Sequence, residues 1–268
     1  MNAPSGIITL TTDFGHKDPF VGVMKGCILS RMPECRIVDL SHEIMAHWPV
    51  EAGFWLEKSY SYFPTGTVHL AVVDPGVGTD RPILIVEADE HIFLAPDNGL
   101  LAPVIELGNA QTYQLSQEWL QQENWPKVSS TFHGRDILGP IGAEIAAGRV
   151  SPSDLGPLTR DYAPNQAEPP ERLDDAIHGV VITTDHFGNL ITNIEASSIA
   201  SFRTPIAYTA GKRFRFHNNY AQCQPGEYLA LVNSFGVVEI SRSQASAAEG
   251  LGLGRGTPVT VRESAIGH

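Results

Sequence analysis

Val72-Val73-Asp74-Pro75-Gly76-Val77-Gly78-Thr79-Asp80-Arg81-Pro82 ends an apolar run abruptly in a carboxylate, two glycines and an arginine. Val68 to Val73 has the length and β-branched content of a buried strand, and the two glycines let the backbone turn tightly beyond it. Asp74 therefore falls at the carboxyl end of a strand, where open α/β sheets bind their ligands. Arg81, across the glycine turn, is within reach of it. Taken alone the pair is first a salt bridge pinning a loop, because ion-pair networks perturb carboxylates without catalysing anything.

Outward from this stretch, residues 6–150 alternate strand and helix. The pattern predicts strands at 6–12, 36–40, 67–73 and near 82–95, and helices at 19–31, 49–62, near 99–107 and at 136–148. That is an α/β layer with a mostly parallel sheet. Pro19 and Pro49 fall in first helical turns, and Phe20, Val23, Met24, Cys27 and Ile28 read as the buried face of their helix. Residues 161–176 are proline-rich and read as a linker between a domain at 1–160 and another at 177–268. The second carries short β-rich runs between turn residues, which suggests a small antiparallel barrel or sandwich. The Ser/Ala/Gly-rich stretch 243–256 reads as a loop.

Composition narrows the function. The chain has 268 residues, 42% hydrophobic and 18% charged, which suits a globular protein with two cores. No apolar run approaches the roughly 20 residues of a membrane helix, and Met1-Asn2-Ala3-Pro4-Ser5 lacks the basic and apolar regions of an export signal, so a cytoplasmic protein without a membrane partner is expected. A formal charge of −12 argues against nucleic acid. Cys27, Cys35 and Cys223 are widely spaced and suggest neither disulfides nor a thiolate metal site. No Gly-x-Gly-x-x-Gly or Walker loop indicates a dinucleotide or triphosphate.

Two further segments end in polar residues. Ile7 to Thr12 runs into Asp13-Phe14-Gly15-His16-Lys17-Asp18, and Thr131-Phe132-His133-Gly134-Arg135-Asp136 leads into a helix start. With Ala-Pro-Asp-Asn-Gly-Leu-Leu at 95–101, Asp-His-Phe-Gly-Asn at 185–189 and Asn-Ser-Phe-Gly at 233–236, these motifs appear in one order. In them the chain resembles the S-adenosylmethionine (SAM) hydroxide adenosyltransferases, adenosine-forming SAM hydrolases related to the fluorinating and chlorinating SAM enzymes.

The resemblance implies a layered α/β N-terminal domain followed by a C-terminal antiparallel β-barrel, with hydrolysis of SAM to adenosine and methionine as the reaction. It implies a water site made by Asp74, Arg81 and His133, with Phe132 and Gly134 beside it. Asp13 is expected to accept the ribose hydroxyls and Trp48 to cover the ribose. Asp18, Asp185 and Ser234 match positions that hold the methionine amino and carboxylate groups; Phe187, Asn189 and Tyr220 match the adenine pocket, and Arg242 a further C-terminal position. SAM is then substrate, with no cofactor and no metal, and the assembly a homotrimer with each site between two subunits. A halide-using SAM lyase and a SAM-binding sensor are the competing expectations. Asp74 and Gly134 stand where the fluorinating enzymes carry Tyr and Ser, and their long insertion is here only Ala88-Asp89-Glu90. Phe235 replaces their arginine near the methionine carboxylate.

Overall fold

The computed structural model describes residues 3–121, 125 and 127–264; residues 1–2 and 265–268, the ends of the two expected domains, lie outside the described residues. The chain divides into two compact units, Met1–Gln166 and Ala167–His268.

In the first unit, β1 (Ile7–Thr12), β2 (Arg36–Ser41), β3 (Val68–Val72), β4 (Ile83–Ala88), β5 (His91–Pro96) and β6 (Gln111–Gln114) form a sheet in the order β2-β1-β3-β5-β4-β6. β1 pairs in parallel with β2 and β3, and β3 with β5; β4 runs antiparallel to β5 and β6. The sheet is mostly parallel, as expected, with an antiparallel edge. β6 goes beyond the expected strands: Gln111-Thr112-Tyr113-Gln114 has too few apolar residues to announce one.

Helices cover both faces. Helix α1 (Phe20–Arg31) and the helix Gly139–Ala146 bring Met24, Ile28 and Ile141 onto Leu10, Leu70 and Val72. Helix α2 (Pro49–Ser59) brings Ala52 and Leu56 onto Ala71, Val73 and Phe93 on the other face. β3 is thus buried on both sides, which is why it reads as a continuous apolar run instead of alternating. Truncating Leu70 to Ala would cost about 2–5 kcal/mol.

The expected buried stripe of α1 needs correction. Val21, Met24 and Ile28 face the core, whereas Phe20 is 46% exposed and Val23 40%. Met24 and Ile28 are buried as expected and Cys27 is half-buried; Val21 takes the inward place expected for Phe20, because both are apolar and the helix turns Val21 inward. Before Gly139–Ala146 the chain makes a π-helical turn, Gly134–Leu138, closed by Gly139 N–H donating to Gly134 O. Such wide turns recur at functional sites.

The second unit contains β7 (Glu171–Leu173), β8 (Ala176–Thr184), β9 (Leu190–Glu195), β10 (Pro205–Thr209), β11 (Lys212–Arg215), β12 (Tyr228–Val232), β13 (Val237–Arg242) and β14 (Pro258–Glu263). Their order is β11-β10-β14-β8-β9-β13-β12, with β7 on β8, and the strand pairs are antiparallel. A bridge between Phe216 and Ala230 joins the end of β11 to β12, so the sheet curls into a nearly closed barrel around Phe214, Val238, Ile240 and Val261.

The proline-rich stretch 161–176 is shared between the units. Ala163 N–H donates to Asp97 Oδ1 at 2.8 Å in the first, and Glu171–Leu173 is a strand of the second. The stretch expected to be a loop at 243–256 contains a helix, Ala247–Leu251, which Ser246 caps by accepting from Glu249 N–H at 3.0 Å. The alanines and glycine of that turn carry no helical periodicity, so only the cap announces it. Among the described residues no helix is long and apolar enough to cross a membrane.

Candidate active site

The turn after β3 is built for close approach. Val77 N–H donates to Asp74 O and Thr79 N–H to Gly76 O, both at 3.2 Å. Gly78 has φ +83°, and a Cβ there would collide with Ser130 O. No other residue fits that conformation and that space. From beyond the end of β5, Asn98 Nδ2 donates to Val73 O at 2.8 Å and fixes the backbone that carries Asp74.

The turn brings Arg81 back onto Asp74. Arg81 Nε donates to Asp74 Oδ1 at 2.7 Å while Nη2 meets Oδ2, and the two side chains are 10% and 5% exposed. Such a two-pronged pair fixes orientation as well as charge. The same Nη2 reaches His133 Nδ1 at 2.9 Å. A guanidinium only donates, so Nδ1 is the acceptor and the neutral ring carries its hydrogen on Nε2. Burial, and then the charge of Arg81, hold the imidazole below its ordinary pKa, since both disfavour a second positive charge there. Asp74, Arg81 and His133 therefore meet as expected, with His133 neutral at neutral pH.

His133 precedes the π-helical turn, which Asp136 anchors by accepting from Ser129 N–H at 2.8 Å and from Arg135 Nε at 2.5 Å. Burial works against the Asp136 carboxylate, but these bonds outweigh it and keep its pKa low.

A cleft of about 290 Å³ opens beside this cluster, lined in part by Asp13, Asp74, Phe132, His133 and Gly134. Asp13 Oδ2 accepts from His47 N–H at 2.9 Å. The loop under Asp13 is held by Thr12 Oγ1, 2.8 Å from His42 Nδ1, and by Gly15 N–H donating to His42 O at 2.8 Å. Phe14 and Phe20 also line the cleft, with their rings edge-on to Phe132 at centroid distances of 5.6 Å. Sequence reasoning misses both, since it places Phe20 in the core and gives Phe14 no role within its motif. Such rings suit a cationic ligand. Asp18 is exposed and Trp48 half-buried, and neither lines this cleft.

The second unit gathers a second group. Asp185 organises the β8–β9 turn: Oδ1 accepts from Phe187 N–H and Asn189 N–H, and Oδ2 from Asn189 Nδ2, each at 2.9 Å. Phe187 is 75% exposed and Asn189 buried. Tyr220 donates to Glu239 Oε1 at 2.7 Å; burial and that bond push its phenol pKa up. Glu239 is a buried carboxylate that also accepts from Ser241 Oγ at 2.5 Å and Asn233 Nδ2 at 3.2 Å. Sequence reasoning misses it, although a single acid inside Val237-Val238-Glu239-Ile240 is a usable signal. Ser234 lies exposed in the β12–β13 turn. Arg242 donates from Nε to Gly226 O at 2.9 Å and stacks on Tyr228, so it braces the barrel.

Fold and clusters define an enzyme of two units, with its charged cluster gathered beyond the carboxyl ends of parallel strands. The chain belongs to the SAM hydroxide adenosyltransferase family: that family's N-terminal domain matches residues 8–156 and its C-terminal domain residues 179–260. It is 32% identical to an (R)-S-adenosyl-L-methionine hydrolase of Thermus thermophilus, over 92% of this chain and 96% of the relative. A fluorinase of an Actinoplanes species is 28% identical over 96% and 98% of the two chains. The crystal structure of a conserved protein from Thermotoga maritima superposes with a TM-score of 0.87 at 29% identity, covering 96% of this chain and 100% of that one.

Proposed function

We propose that this protein hydrolyses SAM to adenosine and L-methionine, acting on the (R) sulfonium epimer named for its hydrolase relative. The observation that carries the proposal is the Asp74–Arg81–His133 contact at the head of an aromatic cleft. Water is a poor nucleophile at neutral pH; Arg81 stabilises hydroxide character, Asp74 orients the oxygen, and the Nε2–H of His133 supplies a donor to it. A C5′–O bond forms as the C5′–S bond breaks with its electron pair going to sulfur, and one proton leaves. Hydroxide and sulfonium annihilate charge, so a dry aromatic cleft favours the transition state over hydrated reactants.

Asp13 is the proposed ribose ligand, with Trp48 over the sugar. Phe187, Asn189 and Tyr220 are proposed for adenine, and Asp18, Asp185 and Ser234 for the methionine end. Family membership supports a homotrimer whose sites are shared between subunits, working in the cytoplasm without metal or cofactor. A halide-using lyase is disfavoured because a charged Asp74–Arg81 pair occupies the nucleophile's place.

The test is incubation with SAM in water labelled with heavy oxygen. Label at the adenosine 5′-hydroxyl and not in methionine is the expected result. A 5′-halogenated product in halide buffer, or no turnover of SAM, would overturn the proposal. Loss of activity in chelator, restored by a divalent ion, would overturn its metal-free part.

A further inference from the structure

The catalytic cluster faces two openings. Asp74 and His133 line the cleft of about 290 Å³ with the aromatic rings, while Arg81 and His133 line a second cleft of about 380 Å³ in the same unit. His133 belongs to both. The second cleft is lined by the polar Gln114, Ser116, Gln117 and Glu118 together with apolar residues such as Ile83, Leu115 and Ile137. Asp13, Phe14 and Phe132 do not line it.

We infer that the second cleft is a conduit for water and protons that serves the cluster by a route other than the substrate's. This rests on the hydrolase assignment, whose stoichiometry demands such a path. Each turnover consumes one water and releases one proton: oxygen bonds to C5′, sulfur keeps the electron pair of its broken bond, and the hydrogen of the attacking water has to leave. A sulfonium ligand in the first cleft, among Phe14, Phe20 and Phe132, obstructs traffic on that side.

The second cleft suits the task in size and lining. At ~30 Å³ per molecule it has room for a connected file of water. Its walls present amide, hydroxyl and carboxylate groups that hydrogen-bond to water without binding it tightly, and Glu118 is exposed at the helix Gln117–Leu120. The imidazole of His133 and the guanidinium of Arg81 both line this cleft, so the file borders the reacting water's partners. Arg81 only donates and His133 Nδ1 already accepts from it, so neither relays the released proton; it passes from the reacting water to the first water of the file and outward to bulk solvent, and requires no further reactant.

The experiment narrows the cleft with Gln117→Trp and, separately, Gln114→Trp, with Gln117→Ala as the control that removes the amide without adding bulk. Gln117 is exposed, so its replacement leaves the fold intact, and unfolding midpoints verify this for both. Expected in the Trp variants is a fall in kcat of roughly fivefold or more with KM for SAM unchanged, and a larger solvent deuterium isotope effect on kcat. Gln117→Ala should behave as wild type. Unchanged kcat and isotope effect in both Trp variants, or an equal loss in Gln117→Ala, would overturn the conduit while leaving the hydrolase intact. Failure of the wild-type protein to form adenosine would overturn the hydrolase assignment, and the conduit with it.

Discussion

Arg81 Nη2 donates to His133 Nδ1 across 2.9 Å, and that single bond fixes both the tautomer and the working charge of the histidine. Protonating Nδ1 would set an imidazolium against a guanidinium and break the contact. Burial and Arg81 lower the imidazole pKa. The acid limb of the kcat profile should therefore have its midpoint below the ordinary value of about 6.5. A pH–rate series with SAM saturating reads this directly. A midpoint above that value would mean that the active form is the cation.

Arg81→Lys keeps the charge but loses the fork that spans Asp74 and His133 at once. A lysine ammonium can meet one partner well and leaves the other buried without its donor. kcat should fall roughly 10²-fold or more, with KM for SAM changing far less. Normal turnover with a raised KM would assign Arg81 to binding instead.

Much of this is legible in the residues, for reasons that also explain the gaps. The Val68–Val73 run shows its strand because burial on both faces demands continuous apolarity, and Gly78 shows its turn because a Cβ collides there. The Asp74–Arg81 pair is legible in the strand end and its glycine turn, whereas His133 joins it only through motif resemblance, since no local pattern places position 133 beside position 81. Phe20 is easily misread because periodicity cannot distinguish a ring that covers a cleft from one that fills a core. Glu239 escapes because a buried acid is defined by its partners, and one of them, Tyr220, arrives from a separate stretch of chain, while Asn233 and Ser241 are neighbours in the same hairpin.

A second histidine is expected to contribute to the protein's response to acid. His69 is fully buried, with Nδ1 2.8 Å from Thr9 Oγ1 and Nε2 3.1 Å from His91 Nδ1. Burial, reinforced by His91, lowers its pKa to about 3. From the unfolded value of about 6.5 down to that folded value, the unfolded chain holds the proton and the folded chain refuses it. Stability should therefore fall with pH throughout this window, by up to about 1.4 kcal/mol per pH unit from this group. Urea unfolding of wild type and His69→Gln between about pH 7.5 and about pH 4.5 should show a shallower slope in the variant. Parallel slopes would exclude His69 as a cause of acid sensitivity.

Tyr220→Phe separates the ring from its hydroxyl. The ring stays for stacking, but Glu239 loses one of three donors inside the barrel wall. Stability should fall by about 1–3 kcal/mol, the cost of an under-bonded buried polar group. Glu239→Gln in the same background should recover part of the loss, because a neutral amide needs fewer donors. SAM affinity should suffer more in Tyr220→Ala than in Tyr220→Phe; the reverse order would remove the ring from the adenine site.

The proposal of shared sites makes a prediction that no single-subunit site can satisfy. Asp74 lies in Met1–Gln166 and Asn189 in Ala167–His268, so the proposed pocket draws on both units. If each site takes the first unit of one subunit and the second unit of its neighbour, Asp74→Ala and Asn189→Ala proteins are each inactive at every site. After subunit exchange, some hybrid sites combine an intact first unit from the Asn189→Ala chain with an intact second unit from the Asp74→Ala chain. Activity should then reappear on mixing and scale with the fraction of mixed oligomer measured by native mass spectrometry. If both parents are folded and the mixed oligomer is verified, absence of recovery would place each site within one chain, and full activity of a wild-type monomer would do the same.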